Sequence, residues 1–206
     1  MKLLATLLTA TCLTTISANA TLIRFIEFTI EQGTGGIPLH VGEVEAFMTG
    51  VTPGAGLDGI NDLALTSKGA SATTVSGDTF HGANGNLING SASRGIDTWT
   101  RRTATIPAVG GVVGQVDLGG TFDIVTVRIW QRGDGCCQER LSNFTVNFYA
   151  DNGTGGVGAL VDSIAYPGQV PTNGFATFSQ PAAVPEPSSS ALLGLGGLAL
   201  ILRRRK

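Results

Sequence analysis

Apolar and polar residues alternate with a period of two along two nearly adjacent stretches. Ile124 to Trp130 reads Ile-Val-Thr-Val-Arg-Ile-Trp, and Phe144 to Phe148 reads Phe-Thr-Val-Asn-Phe. Successive side chains of a strand point to opposite faces, so this period predicts β-strands. Residues 22–30 (LIRFIEFTI) and 39–48 (LHVGEVEAFM) predict two earlier strands, and 114–118 (GQVDL), 159–165 and 175–178 predict three more. The links at 33–36, 52–60, 84–99 and 151–158 are rich in turn-forming residues. Residues 61–74 are polar and alanine-rich, and no long 3.6-residue period occupies the middle of the chain. The pattern predicts an all-β domain.

Composition sharpens this. A chain of 206 residues suggests one domain plus processing segments. Its 30 glycines and 14% charged residues suit short strands joined by many turns. Residues 21–183 hold 8 basic against 14 acidic side chains, a net charge of −6. A nucleic-acid binder needs a basic face, so that class is set aside. Export and a neutral ligand remain compatible.

Both chain ends carry processing signals. Lys2, the apolar run 3–16 and Ala18-Asn19-Ala20 form a secretory signal peptide, with cleavage expected after Ala20. Near the other end stand Val184-Pro185-Glu186-Pro187, three serines, the apolar run 191–202 and Arg203-Arg204-Arg205-Lys206. That run falls short of the roughly 20 residues that span a bilayer comfortably, so it predicts a marginal transmembrane helix with its basic end on the cytoplasmic side. This end resembles the PEP-CTERM sorting signal. The resemblance implies a Gram-negative bacterium and an exosortase that recognises the motif. It further implies an inner-membrane intermediate held by the C-terminal helix, loss of the tail, and delivery to the cell surface or extracellular matrix. The expected organisation is a signal peptide (1–20), a β-domain (21–180), a linker with the motif (181–190) and the sorting helix with its basic tail (191–206).

Candidate chemistry concentrates between the two alternating strands, in the loop Gln131 to Arg140. Arg132 and Arg140 offer planar, forked donors suited to polar recognition, and Asp134 can hold such a fork in place. Cys136 and Cys137 are adjacent. Bonded to each other they would form a rigid apolar plate. Their Cα atoms, about 3.8 Å apart, lie below the usual disulfide separation of about 4.4–6.8 Å. Two free thiols are the alternative. Loss of the signal peptide removes Cys12, so the exported chain keeps only this pair in an oxidising compartment, which favours the bond. The loop is expected to lie outside the core.

Three stretches resemble the coagulation-factor 5/8 C-terminal (discoidin) domain, and within it the fucolectin branch. They are residues 24–47, ending in Gly-Glu-Val-Glu-Ala-Phe; residues 61–74 with Asn86-Leu-Ile-Asn-Gly and Asp97-Thr-Trp99; and Gln115-Val-Asp-Leu-Gly with the Arg132-to-Leu141 loop. The resemblance implies a jelly-roll β-sandwich with ligand loops at one end. It implies a sugar held by a histidine and two arginines, Arg132 and Arg140 here, and packed on a Cys136–Cys137 disulfide. Gly135 lengthens the arginine spacing relative to the family. Where the family has its histidine this chain reads Thr100-Arg101-Arg102-Thr103. A structural calcium site is implied at Asn86, Asn89, Ser91 and Thr100, weakened because Asn89 replaces an acidic residue.

His40 and His81, the two histidines, read as solvated or hydrogen-bonded side chains rather than ligands. A glycosidase would need two carboxylates about 5–9.5 Å apart. Asp134 and Glu139 lie among arginines, which keep carboxylates ionised and poor as acids. The expectation is therefore not an enzyme but a lectin-like protein binding an extracellular or cell-surface glycan. The alternative is a structural matrix protein whose loop is merely braced by an Arg132–Asp134–Arg140 cluster.

Overall fold

The computed structural model describes residues 22–30, 39–74, 87–92, 111–133, 135 and 137–180, all within the compact unit Thr21–Ala182. Eight strands are present among them: β1 (Ile23–Ile30), β2 (Glu43–Met48), β3 (Ser71–Thr74), β4 (Gly111–Phe122), β5 (Ile124–Trp130), β6 (Ser142–Asp151), β7 (Val157–Gln169) and β8 (Phe175–Ser179). One sheet has the order β3-β4-β1-β6-β7 and the other β2-β5-β8. Every described pairing is antiparallel. The described residues contain no α-helix, only short 3-10 turns, at Thr66–Lys68, at residues 87–88 and at Gln138–Arg140. The architecture is an all-β, sandwich-like pair of antiparallel sheets.

Alternation places the core. Phe144, Val146 and Phe148 of β6 face inward and are fully buried, as are Ala176 and Phe178 of β8 to within 2%. In β5 the inward residues are Ile124, Val127 and Ile129. The phase slips by one residue after Ile124, where the register against β2 shifts between Phe47 and Met48. β1 slips likewise between Ile23 and Phe25, so that Ile23, Ile26 and Phe28 all reach the core. An extra residue in one strand does this without ending the ladder. Burying each large aliphatic or aromatic side chain contributes about 1.5–3 kcal/mol.

β2 is buried on both faces. Val44 and Ala46 point into the core, whereas Glu43, Glu45 and Phe47 sit on the opposite face and are equally buried. The segment after β2 folds back to cover them. Leu63 N donates to Ala46 O at 2.8 Å, and Ala46 N to Asp62 Oδ1 at 2.7 Å. Arg128 reaches the carbonyls of Pro53, Gly54 and Gly56 at 3.1, 2.7 and 3.3 Å. Its guanidinium lies over Phe175, 4.5 Å from the ring centroid, a favourable cation–π placement.

The strand expected to start at Leu39 begins at Glu43, because residues 39–42 turn aside to pack against the loop after β5. Gly42 N donates to Trp130 O at 2.8 Å, and a Cβ on Gly42 would stand 2.6 Å from Gln131 O. Only glycine allows that approach. β3 lies in the polar segment 61–74 and is set by its pairing with β4 rather than by its own pattern.

Candidate functional site

Three chain segments meet where β2 begins, β5 ends and β6 begins. Residues 39–42 lead into β2, 131–133 leave β5, and Gln138–Arg140 leads into β6. His40 N donates to Arg140 O at 3.3 Å, tying the first segment to the third. The His40 ring is 2% exposed and lies between both arginines of the loop. Arg132 Nη1 is 3.0 Å from Nδ1, and Arg140 Nη1 is 3.3 Å from Nε2. A neutral imidazole accepts at one ring nitrogen only. The ring therefore accepts from one of the two guanidiniums at a time, and the tautomer decides which.

The base of the loop is a reciprocal amide clasp. Gln131 Nε2 donates to Gln138 O, and Gln138 Nε2 donates to Arg132 O, both at 2.6 Å. Gln131 and Gln138 are buried, and so is Arg132 at 9% exposure. The base of the loop is thus buried, while Gly133, Gly135 and Glu139 are exposed and none of these residues joins the hydrophobic core cluster. Arg140 keeps 34% of its side chain exposed. Its contact to the exposed Glu139 carboxylate is long, 3.5 Å, and such surface pairs contribute little. Gly135 and Cys137 both adopt positive φ, at 74° and 55°, and Cys137 O accepts from Arg140 N at 3.0 Å. Cys137 is disulfide-bonded. Cys136 and Asp134 lie outside the described residues.

The structure thus places Arg132 and Arg140 on either side of His40, which the sequence presents as a solvated or hydrogen-bonded side chain rather than a ligand. It lies 92 residues from Arg132 and 100 from Arg140. No local spacing signals that proximity. Gln131 and Gln138 were likewise not singled out, although two glutamines flanking a short loop are a usable signal for such a clasp.

Of the residues linked to calcium, Asn86 and Thr100 lie outside the described residues. Asn89 Oδ1 accepts from Ser91 N at 2.8 Å, a local side-chain turn. Gly90 N and Ser91 N donate to the buried Glu43 carboxyl at 3.1 and 3.3 Å. Burial pushes Glu43 up to about 9, aided by the nearby Asp62 charge and opposed by these amides. Burial also raises Asp62 to about 7, against donors from Ala46 and Ala64. Gly133 N donates to Ala92 O at 2.8 Å, so the 87–92 segment abuts the arginine loop.

The processing calls, Ala20 and Val184-Pro185-Glu186-Pro187, lie outside the described residues, as do His81 and the apolar run 191–202. Among the described residues no helix is long and apolar enough to cross a membrane. The PEP-CTERM protein-sorting motif matches residues 183–206. No curated protein and no solved structure matches the chain. The motif marks an exported protein that is processed by an exosortase and membrane-associated during sorting.

Proposed function

We propose that this exported protein is a carbohydrate-binding module of the discoidin type, a jelly roll with its ligand loops at the end where β2, β5 and β6 meet. The observation that supports it is the convergence of His40, Arg132 and Arg140. The ring accepts from one guanidinium at a time, and the part-exposed Arg140 turns N–H donors toward solvent. An acceptor oxygen brought by a ligand complements those donors. A sugar hydroxyl or ring oxygen is such an acceptor, and it is neutral, in keeping with the acidic body.

In this reading Cys136 and Cys137 are joined and form the floor on which the apolar face of the sugar rests. Asp134 orients an arginine. Calcium has its place as a weak structural cation at Asn86, Asn89, Ser91 and Thr100, since Asn89 brings no charge. The chain performs recognition and no chemical step, and it works at the cell surface or in the extracellular matrix of a Gram-negative bacterium. Hydrogen bonds to charged groups contribute about 1.5–3 kcal/mol each, so a site with two arginines gives measurable affinity. A glycan array probed with the exported, processed protein, with and without calcium, tests the proposal. Binding to a defined set of glycans is the expected result. A folded, oxidised protein that binds none overturns it in favour of a structural matrix role.

A further inference from the structure

A cleft of about 390 Å³ opens beside the arginine site, lined by Leu57, Gly90, Ser91, Ala92, Trp130, Gln131, Gly133 and Asn173. It shares the 131–133 segment with that site but none of its charged groups, and among the described residues no charged side chain lines it. Its walls are fixed from behind. Glu43 receives the amides of Gly90 and Ser91, and Ala92 O receives Gly133 N. The 171–174 turn is tied at two points, Gln131 N to Gly174 O at 2.9 Å and Asn173 N to Gln138 Oε1 at 3.2 Å. Trp130 is locked as well. Its indole N–H donates to Glu45 Oε2 at 2.5 Å, and its ring lies 4.6 Å from that of Phe175. The lining combines one part-exposed indole, Leu57 and the Ala92 methyl with the polar side chains of Ser91 and Asn173. Gly90 and Gly133 add no side-chain bulk.

We infer that this cleft is a second saccharide subsite, taking a neutral pyranose unit linked to the one held at His40, Arg132 and Arg140. The inference rests on the carbohydrate-binding reading and gives it a substrate class: a chain of at least two sugars rather than a single terminal residue. A pyranose has an apolar face for the indole and hydroxyl edges for amide, hydroxyl and backbone partners. The volume lies at the lower end of small-ligand sites, about 300–1,000 Å³. The described lining carries no cationic side chain to hold an anionic occupant. Because the walls are pre-formed, little ordering cost opposes binding.

The test uses the exported protein carrying Trp99→Phe, which leaves Trp130 as the sole tryptophan. Its fluorescence and affinity are followed with an oligosaccharide chosen on the glycan array and with the monosaccharide at that oligosaccharide's terminus. The oligosaccharide is expected to bind about tenfold tighter or more and to shift Trp130 emission, whereas the monosaccharide leaves emission unchanged. Ala92→Trp, which fills the cleft, should reduce oligosaccharide affinity to the monosaccharide level and leave monosaccharide affinity as it was. Should Ala92→Trp fail to fold, Asn173→Gly carries the test. Asn173 has φ 54°, a conformation glycine accepts readily, and only its amide is lost. Equal affinity for the two ligands, or an Ala92→Trp or Asn173→Gly protein with its oligosaccharide preference intact, overturns the subsite and spares the arginine site. Absence of binding to either ligand overturns both.

Discussion

Two arginine-centred clusters show how differently this fold uses the same side chain. On the five-stranded sheet, Arg24 donates to both oxygens of Asp117, at 2.9 and 3.1 Å, and also to Asp151. The carboxylates are themselves filled from the backbone. Asp117 accepts from Gly119 N, and Asp151 from Gly153 N and Gly155 N. The Arg24 guanidinium holds the Asp151 carboxyl below its ordinary range. Opposite charges meet and their hydrogen-bonding capacity is used within the fold. At the loop after β5, two guanidiniums instead flank one buried imidazole, and Arg140 stays partly in solvent. The first cluster is a clamp. The second gathers two guanidiniums around one ring, and Arg140 leaves part of its donor fork in solvent.

The comparison breaks most directly at Arg140. Arg140→Ala should lower glycan affinity by about tenfold or more, since about 1.4 kcal/mol is tenfold and a hydrogen bond to a charged group exceeds that. Its melting temperature should stay near that of the parent. Arg24→Ala should do the reverse, lowering the melting temperature and leaving glycan affinity unchanged. Titration calorimetry and melting curves on both proteins distinguish the roles. Exchanged outcomes would mean that the clamp and the site have been misassigned. Arg132→Ala is a poorer probe, because Arg132 is buried and its loss should lower both stability and affinity.

Gly42 offers the next largest effect. Gly42→Ala places a methyl against the Gln131 carbonyl, at a separation of 2.6 Å that backbone must relieve by moving. Overpacking of this kind costs about 1–3 kcal/mol. The displaced segment carries His40, so glycan affinity should fall along with the melting temperature. An alanine variant with parental stability and affinity would show that residues 39–42 do not position the ring.

A third contrast lies in the carboxyl groups. Glu43 and Asp62 are raised by burial, to about 9 and about 7, from ordinary values of 4.5 and 3.8. Between the ordinary and raised values the folded chain binds more protons than the unfolded one. Their contribution is therefore fully present below about pH 4 and is lost as pH climbs through 7 and then 9. Asp151 has the opposite sign. Depressed by Arg24, it contributes above its ordinary 3.8 and ceases to as pH falls through its lowered value. The melting temperature should peak near about pH 4–5 and decline by several degrees toward pH 9. Glu43→Gln should flatten the alkaline side of that curve. An unchanged slope in this variant would place the proton uptake elsewhere.

These clusters also show what the sequence carries. Alternation marks β5 from Ile124 to Trp130 despite a one-residue slip after Ile124, and the Phe144-to-Phe148 pattern locates β6, because an inward-facing strand repeats its apolar residues every second position. β3 escaped notice because Ser-Ala-Thr-Thr has no apolar face and owes its conformation to β4. The arginines were legible from their composition and shared loop. His40 was not, since it joins them only after β2 and β5 pair. The burial of Glu43 and Glu45 was equally hidden, since it depends on the return of residues 49–65 and on the 87–92 segment covering that face.

The smallest expected effect lies at Glu139, and it sharpens the comparison by showing what an acid–arginine pair is worth outside a clamp. Glu139 Oε1 stands 3.5 Å from Arg140 Nε, and the glutamate side chain is 64% exposed. Water screens such a pair, and pairs of this kind contribute about 0–1 kcal/mol. Glu139→Gln should therefore shift the melting temperature by no more than about two degrees and change glycan affinity less than about twofold. Its carbonyl, which accepts from Ser142 Oγ at 2.7 Å, is untouched by the substitution. Arg140 is held instead by its contact to His40 and by the backbone of the Gln138–Arg140 turn. If Glu139→Gln reduced affinity as far as Arg140→Ala does, the exposed carboxylate rather than the buried imidazole would be orienting the guanidinium. The arginine loop would then be a second, looser version of the Arg24 clamp, and the distinction drawn between the two clusters would fail.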